Sequence, residues 1–450
     1  MRINISTSIS EFDNRTRTEA VKLHISLTFV FKVLAIGISY LLVPLTINYL
    51  NIEQYGIWMT LLSIMSWVVF FDIGLGSGMR NKLAEALATN DIKLAKTYVS
   101  TAYIAISIIA LIFFILLISI LPFTPWNKVF NTTTVSNYEL LKVVFIIGFF
   151  FLFNFVLSLY KQISYAYQQA SLATLGQLLL NLFAIITIYL LIHYTSGRLL
   201  YLGIGYGLSM ILSSLLLTYY FYKKHEEVIP SPRCVDLSKI RDIASLGVKF
   251  FIIQMAVLVI FATDNMIITQ VLGPEYVTPY NVVWKLFSIV IMGHTILVTP
   301  LWSAYTEAYA KGDIKWIRNT LKKLNILMIP IIISVLVLII FARDIINVWV
   351  GPNIRFSYYL VIFMGIYTVI ATWNNIYAYF VNGIGRIKLQ MYSAIIGGLI
   401  NIPLSIYFAS YLDMGISGVI LGTIVSLSLF AIIGPMQSYY ILNEQQSGRV

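Results

Sequence analysis

Twelve apolar stretches of the 450-residue chain are each about 20 residues long or longer, the length an α-helix needs to cross the hydrocarbon core of a bilayer. They cover residues 26–48, 55–78, 98–121, 142–165, 171–193, 199–221, 246–271, 279–302, 324–346, 357–380, 387–411 and 415–440. Backbone groups inside lipid must find their partners within the chain, and continuous apolar runs do so as helices, not as barrel strands. The sequence therefore predicts an all-α polytopic membrane protein with about 12 transmembrane helices.

The composition agrees with lipid as the main solvent. Hydrophobic residues make up 59% of the chain and charged residues 11%, whereas soluble domains carry about 25% charged residues. Cys234 is the only cysteine and the four histidines are scattered, which excludes an intrachain disulfide and offers no paired metal ligands. We therefore expect no metal site and no cofactor.

The basic residues predict the orientation of the chain. With a cytoplasmic N-terminus, the inside segments carry 22 Lys and Arg residues and the outside loops carry four, Lys128, Arg198, Arg343 and Arg355. This asymmetry satisfies the positive-inside rule and places both termini in the cytoplasm. The net charge of +11 mostly reflects this bias, with attraction to anionic lipid as a secondary effect. Because no basic patch lies on a soluble domain, we expect no nucleic-acid partner.

The chain contains an internal repeat. Residues 84–93 read AEALATNDIK and residues 306–315 read TEAYAKGDIK, with six identical positions at a spacing of 222. Further anchors, at spacings of 219 to 222, are Leu50 with Leu272, Glu53 with Glu275, Asn181 with Asn401, and Leu202-Gly203 with Leu421-Gly422. Chance explains any one anchor among apolar helices, whereas the nearly constant register of all of them favours duplication.

The repeat predicts the domain organisation. Each copy contains six helices, an even number, so both copies have the same orientation and are related by an axis along the membrane normal. We predict a cytoplasmic tail at 1–25, an N-lobe at 26–221, a cytoplasmic linker at 222–245, a C-lobe at 246–440 and a cytoplasmic tail at 441–450. Two parallel six-helix lobes around a central crevice form a transporter architecture.

The sequence offers little to support an enzyme. The predicted outside loops are short, and there is no Asp-x-Asp pair, Walker loop or HExxH motif. The glycines of DIGLGSG at 72–78 superficially suggest a nucleotide-binding loop, but no strand precedes them. Close packing or a helix kink is the better interpretation.

Ionisable residues inside the predicted spans are the first candidates for a transport pathway, since such residues are costly in a membrane. Asp264 in the seventh span and Lys285 in the eighth both lie about 10 Å below the predicted outer surface. They are expected either to face a water-filled cavity or to form a structural ion pair between helices. Lys249 lies on the face of Asp264 and Asn281 on the face of Lys285, whereas His294 is expected to face away as a satisfied packing residue.

Two further ionisable residues lie near the predicted cytoplasmic ends of the first two spans. Lys32 is about 9 Å from that end, so it can either line the lumen or snorkel to the interface. Asp72 can either pair with Arg80 or face the crevice. Both alternatives stay open for each residue.

The stretch TWNNIYAYF at 372–380 places Trp373, Asn374 and Asn375 near the middle of the tenth span. Amide groups can hydrogen-bond sugar hydroxyls and an indole ring can stack on a sugar. Hydrogen bonds between helices explain the same residues equally well.

Four segments resemble the polysaccharide-transporter branch of the multidrug/oligosaccharidyl-lipid/polysaccharide exporter superfamily, which includes flippases for O-antigen or capsule repeat units. They are FDIGLGSGMRNKLAEALATND at 71–91, TDNMIITQVLGPEYVTPYNVVWKLF at 263–287, TPLWSAYTEAYAKGDIKWI at 299–317 and NIPLSIYFASYLDMGISGVILGT at 401–423. With the length and the helix count, the resemblance covers nearly the whole chain.

This resemblance implies a two-lobed, MATE-like carrier that works by alternating access. Its implied cargo is an oligosaccharide on undecaprenyl diphosphate, moved across the bacterial inner membrane for surface polysaccharide synthesis. Such flippases have a cation-lined lumen and depend on ion gradients, so H⁺ or Na⁺ is the expected coupling ion. The implied partners are membrane lipids and the polymerase and chain-length components of the pathway. Asp264 and Lys285 fall within the resembling segments, whereas Lys249 and Lys32 rest on position alone.

Two rival functions remain. A drug or cation antiporter of the same superfamily is expected to have a lumen dominated by acidic residues, whereas here Lys equals or outnumbers Asp. A membrane glycan polymerase or glycosyltransferase needs a sizeable outer loop for its catalytic site, which the sequence lacks.

Overall fold

The computed structural model describes residues 5–67, 74–243, 255 and 263–446, with only the backbone described for residues 5–23, 25, 303, 445 and 446. Helix accounts for 86% of the structure, and the described residues form no strand. The predicted all-α class is therefore confirmed.

The described part of the chain forms sixteen α-helices. In the first half they are α1 (Ile5–Leu50), α2 (Ile52–Ser66), α3 (Leu75–Ala88), α4 (Ile92–Ile120), α5 (Trp126–Val129), α6 (Asn137–Leu157), α7 (Leu159–Ala166), α8 (Ala170–Tyr194) and α9 (Leu199–Lys224). In the second half they are α10 (Asp264–Val271), α11 (Val277–Val298), α12 (Leu301–Ala310), α13 (Ile314–Trp349), α14 (Tyr358–Gly383), α15 (Lys388–Ile406) and α16 (Ile416–Gln446). Helix α1 continues through the predicted N-terminal tail, because its backbone is helical from Ile5 onward.

Ten helical segments of the described part are long and apolar enough to span a membrane. They coincide with ten of the twelve predicted spans. The other two predicted spans, 55–78 and 246–271, each include residues outside the described part. Outward-facing apolar side chains remain exposed along these helices, as on α4, where Leu111 is 58% and Ile115 is 55% exposed. Lipid contact accounts for such faces, since hydrocarbon tails are as apolar as these side chains.

The chain forms two compact units. Unit 1 comprises residues 1–49, 68–124 and 137–251, and unit 2 comprises residues 50–67, 125–136 and 252–450. Helix α2 and the segment around α5 thus belong to unit 2, although the sequence repeat assigns both to the first copy. The predicted lobe boundaries stay a prediction.

The core of unit 1 joins α3, α4, α7 and α9 around fully buried residues such as Met79, Tyr160 and Phe221. Gly78 permits one close approach, because a Cβ atom there would lie 1.8 Å from the carbonyl oxygen of Ile243. Gly74 has a positive φ of 77° at the start of α3. These two glycines support close packing and a turn as the reason for the glycine-rich motif.

The core of unit 2 is centred on Tyr305, Ile317 and Phe380, which are fully buried and come from α12, α13 and α14. Helix α2 joins this unit through a reciprocal contact with the turn before α11. The hydroxyl of Thr278 donates to the carbonyl of Ile52 at 2.6 Å. Gly56 lies against the carbonyl of Pro274, where a Cβ atom would approach to 1.7 Å. Because positions 274 and 278 correspond to 52 and 56 at the repeat spacing of 222, the contact of 52 with 278 and the contact of 56 with 274 are equivalent under the repeat.

The two repeated decapeptides have the same local structure. Each begins at the end of one helix, passes through a residue with positive φ (Asn90 at 55°, Gly312 at 71°) and enters the next helix. Asp91 caps α4 by accepting from the amide of Leu94, and Asp313 caps α13 in the same way. An Asp at the N-cap satisfies an otherwise orphaned helix amide, which explains why this residue recurs in both copies.

Candidate ion and substrate site

The candidate site of unit 2 is built around the carboxylate of Asp264, the first residue of α10. A carboxylate suits this position, because the N-terminus of a helix presents free amide groups and a partial positive charge. The side chain is nevertheless buried, with 5% exposure. Tyr280 of α11 donates its hydroxyl to one carboxylate oxygen, and the Thr423 hydroxyl of α16 lies 3.3 Å from both.

A second layer of polar groups orients Thr423. The amide of Asn401 in α15 donates to the Thr423 hydroxyl at 3.1 Å, and the Thr263 hydroxyl lies 3.4 Å from the carbonyl oxygen of the same amide. Asn401 is completely buried, with 0% exposure. Four helical segments therefore converge on one buried carboxylate. Hydroxyl and amide groups hold it in position, and no basic side chain of the described residues forms an ion pair with it.

The adjoining residue extends the network to α2 and α11. Asn265 donates to the Ser63 hydroxyl at 2.7 Å and accepts from the Asn281 amide at 2.8 Å. A cavity of 240 Å³ opens here, lined by Met59, Ser63, Asp264, Asn265, Tyr280, Asn281, Trp284, Tyr367, Ile420 and Thr423. The cavity offers oxygen atoms and one carboxylate, a donor set that suits a proton or a hard cation.

The structural ion pair between Asp264 and Lys285, one of the two alternatives, is not formed. The partners of Asp264 are hydroxyl groups, and no ion pair within the described part of the chain includes it. Helix geometry gives the reason, because Lys285 follows Tyr280 by five residues and is rotated about 140° from it at 100° per residue. With Tyr280 turned towards Asp264, Lys285 points to another side of α11, where it is half-buried.

The other predicted pathway residues are dispersed. Asn281 lines the cavity of Asp264, and Lys32 is a half-buried residue of α1 in unit 1. Lys249 and Asp72 lie outside the described residues. His294 is buried as expected, but neither ring nitrogen has a hydrogen-bond partner among the described residues, so the interpretation as a satisfied packing histidine is wrong.

The predicted sugar-binding residues form hydrogen bonds between helices. Trp373 donates its indole N–H to the carbonyl of Ala431, and Asn374 donates to the carbonyl of Leu427, both at 3.0 Å. A 210 Å³ cavity beside them includes Asn374 and Asn375 in its lining. The indole N–H of Trp373 and the amide N–H of Asn374 are therefore occupied by hydrogen bonds between helices. A role of these residues in sugar binding stays a prediction.

Sequence reasoning missed Tyr280 and Thr423, and it noted Asn401 only as a repeat anchor. Tyr280 has a readable signal, since it follows Asp264 by 16 residues across a tight turn and therefore lies at a similar depth. Thr423 has none, because it lies 159 residues from Asp264 and a threonine in an apolar helix is unexceptional.

A family profile described as "Polysaccharide biosynthesis protein" matches residues 23–306, which is more than half of the chain. The chain belongs to this family. A second profile, MatE, matches residues 250–407 and includes Asp264.

Similar proteins extend this assignment over nearly the full length. A protein of Salmonella typhimurium described as an O-antigen transporter is 27% identical, covering 92% of this chain and 95% of that protein. A protein of Yersinia pseudotuberculosis described as an O-antigen export protein is 22% identical, covering 88% and 90%.

A solved inward-facing multidrug resistance MATE family transporter of the MOP superfamily has the same fold. Its TM-score is 0.75 at 15% identity, with 94% of this chain and 99% of that chain covered. An outward-facing structure described in the same terms has a TM-score of 0.64. The MATE-like fold is confirmed, and this family member is a multi-pass membrane transporter and not an enzyme.

Proposed function

We propose that the protein flips undecaprenyl-diphosphate-linked oligosaccharide repeat units from the cytoplasmic to the periplasmic leaflet by alternating access. The observation that carries the proposal is the similarity to O-antigen transporters over nine-tenths of both chains. Bacterial inner-membrane location with both termini cytoplasmic is part of the proposal, supported by the distribution of basic residues.

The physics of such a cargo requires a protein. A sugar hydroxyl without a hydrogen-bond partner costs several kcal/mol in hydrocarbon, so an oligosaccharide crosses a bilayer spontaneously at a negligible rate. A polar route through the protein removes this cost while the polyprenyl tail stays in lipid. Lysines along the route, with Lys32, Lys249 and Lys285 as the candidates, can neutralise the diphosphate as compact point charges.

Asp264 is the proposed site of ion coupling. Its carboxylate is buried and held by Tyr280 and Thr423, and Asn401 donates its amide N–H to the Thr423 hydroxyl in the next layer. A proton or Na⁺ arriving there neutralises a charge that burial makes costly, and this coupling can bias the conformation of the carrier. Asp72, Asn281, Trp373, Asn374 and Asn375 are proposed as further pathway residues, on position alone.

Deletion of the gene tests the proposed function. In the deletion strain, lipid-linked repeat units are expected to accumulate in the cytoplasmic leaflet, where an added membrane-impermeant periplasmic glycosidase cannot reach them. Surface polysaccharide is expected to disappear and to return when the gene is supplied on a plasmid. Repeat units that stay accessible from the periplasm in the deletion strain would contradict the proposal.

A cation antiporter is the second candidate, and the MatE profile match over residues 250–407 favours it. Its test is uptake of a lipophilic cation such as tetraphenylphosphonium by vesicles that contain the protein. Cation transport that depends on an opposing ion gradient, without any effect of the deletion on surface polysaccharide, would replace the flippase proposal.

A further inference from the structure

A large cavity lies at one end of unit 2, away from Asp264. Its volume is 760 Å³, within the range of about 300–1,000 Å³ that is typical of ligand sites. Three connections meet around it: the turn that follows α10, the loop between α13 and α14, and the loop between α15 and α16. Its lining is Leu272, Tyr276, Arg355, Phe356, Ser357, Tyr359, Phe363, Asp413, Met414, Gly415, Ile416 and Ser417.

Aromatic side chains form one part of this lining. Tyr276 is 46% exposed and Tyr359 is 68% exposed, and Phe356 and Phe363 lie beside them. Tyrosine combines a flat apolar face with a polar tip, so it can cover the apolar face of a sugar ring while the hydroxyl remains hydrated. Aromatic rings are costly to leave in contact with water, which favours a ligand that covers them.

Two opposite charges form the polar part of the lining. Arg355 and Asp413 both line the cavity, and neither makes a hydrogen bond or ion pair with another described residue. A guanidinium presents several donors in a planar fork, and a carboxylate presents two acceptors, so together they match the alternating donors and acceptors of adjacent hydroxyls. Because the Asp413 carboxylate repels a phosphate that Arg355 attracts, a neutral, hydroxyl-rich ligand is favoured over an anionic lipid headgroup.

Asp413 lies in a tight turn with a defined backbone conformation. Asp413 and Gly415 both have positive φ, 51° and 56°, in the tight connection between the π-helical turn at Tyr407–Tyr411 and α16. Asp tolerates this left-handed conformation better than most residues. The turn is further closed by the amide of Gly415, which donates to the carbonyl of Ala409 at 3.2 Å. The carboxylate is therefore carried by a defined turn between two helices.

We propose that this cavity binds the carbohydrate part of the cargo, as a segment of a few sugar residues. This inference rests on the proposed function. It adds a glycan site that is separate from the Asp264 cavity and lies at one end of unit 2. The sequence predicts that this end is extracytoplasmic. Glycan that has crossed the membrane is held there before it leaves the carrier. The volume equals that of about 25 water molecules at ~30 Å³ each, enough room for such a segment.

The test measures binding of a soluble glycan to the full-length protein in nanodiscs. The probe is the repeat-unit oligosaccharide released by mild acid from the lipid-linked intermediates of cells that produce the protein natively. Saturation-transfer NMR is expected to show saturable binding that weakens about tenfold or more in Tyr359→Ala and in Arg355→Ala, since truncation of Tyr and Arg anchors commonly costs this much.

Tyr358→Ala is the matched control. Tyr358 precedes Tyr359, is similarly exposed at 60%, and does not line the cavity, so its removal is expected to leave glycan binding unchanged. All three substituted side chains are exposed, and thermal unfolding of each variant is expected to match that of the wild type.

Three results would overturn the inference. They are no saturable glycan binding by the wild type, equal weakening by Tyr358→Ala, and competition by glycerol 3-phosphate, which would reassign the residues to the lipid-headgroup interface. Failure of the proposed function is separate, because it appears as normal periplasmic access of repeat units in the deletion strain. A deletion strain that accumulates cytoplasmic intermediates, with no glycan binding by the purified protein, would refute the cavity inference alone.

Discussion

Asn51 and Gly273 lie 222 residues apart in the sequence and have the same backbone conformation, with φ of 122° and 124°. Each stands before a helical segment, α2 in one case and the turn Pro274–Tyr276 in the other. Glycine adopts this conformation freely, whereas asparagine pays for it in strain. The two copies of the repeat have therefore kept the same turn with different residues.

Asn51→Gly is expected to leave the stability of the protein nearly unchanged. The substitution relieves backbone strain of about 1–3 kcal/mol, but it removes the side-chain cap on the amide of Gln54 and gives the unfolded chain more conformational freedom, each worth about 1 kcal/mol or less. Asn51→Val is expected to lower stability by about 1–3 kcal/mol, because a β-branched residue tolerates this φ poorly. Thermal unfolding in detergent measures both. Equal stability of the two variants would show that the backbone at this position is relaxed.

Gly56→Ala is expected to destabilise the protein or displace α2, because the new methyl group would lie 1.7 Å from the carbonyl oxygen of Pro274. Backbone on both sides leaves little room for relaxation, and overpacking of this kind costs about 1–3 kcal/mol or more. Gly37→Ala is the matched control, since nothing lies within 4 Å of a Cβ atom there. Thermal unfolding measures the loss of stability. Disulfide formation by a cysteine pair placed across the contact between α2 and α11 measures the displacement of α2. A fully stable Gly56→Ala variant would refute this contact.

Asp264→Asn is expected to weaken the dependence of transport on the ion gradient while the protein remains folded. The amide keeps the size of the side chain and can still accept from Tyr280 and Thr423, but it can neither take up a proton nor balance a cation. Reconstituted vesicles with defined pH and Na⁺ gradients measure the effect. Asp344→Asn, at an exposed position of α13, is the control and should behave as the wild type. Equal gradient dependence in the wild type and in Asp264→Asn would exclude Asp264 as the coupling site.

Asp264→Ala and Lys285→Ala are each expected to reduce surface polysaccharide strongly, and the double variant is expected to be no better than the worse single variant. The reason is that Asp264 bonds to hydroxyl groups, so the removal of Lys285 takes no hydrogen-bond partner away from Asp264. Residues that do not contact one another show independent effects, whereas a structural ion pair shows rescue. Quantified polysaccharide and membrane abundance of each variant decide between the two. Recovery in the double variant would restore the ion-pair interpretation.

Several features followed from the sequence alone because they depend on local chemistry. Apolar runs of sufficient length must become helices in lipid, and ten of the predicted spans appear as such. Asp91 and its repeat counterpart Asp313 both cap a helix N-terminus, a role that depends only on the residue's own turn. Asp264 was recognised as a candidate because a carboxylate in an apolar span is costly wherever it points.

The partners of these residues were decided by tertiary structure. Asp264 was expected to meet Lys285 because the two lie at one depth, yet the rotation of α11 presents Tyr280 instead, and a helical rotation is set by packing along its whole length. Thr423 reaches the carboxylate, and Asn401 reaches Thr423, from helices more than 130 residues away from Asp264 in the chain, and no local pattern encodes such contacts. Helix α2 likewise packs with the second half of the chain, although the repeat assigns it to the first. The sequence by itself determined which segments are helical and apolar over a membrane-spanning length, because lipid and backbone chemistry act locally, whereas several helix starts lie five or more residues before the predicted ones. Which faces meet was determined only by the packing of all the helices together.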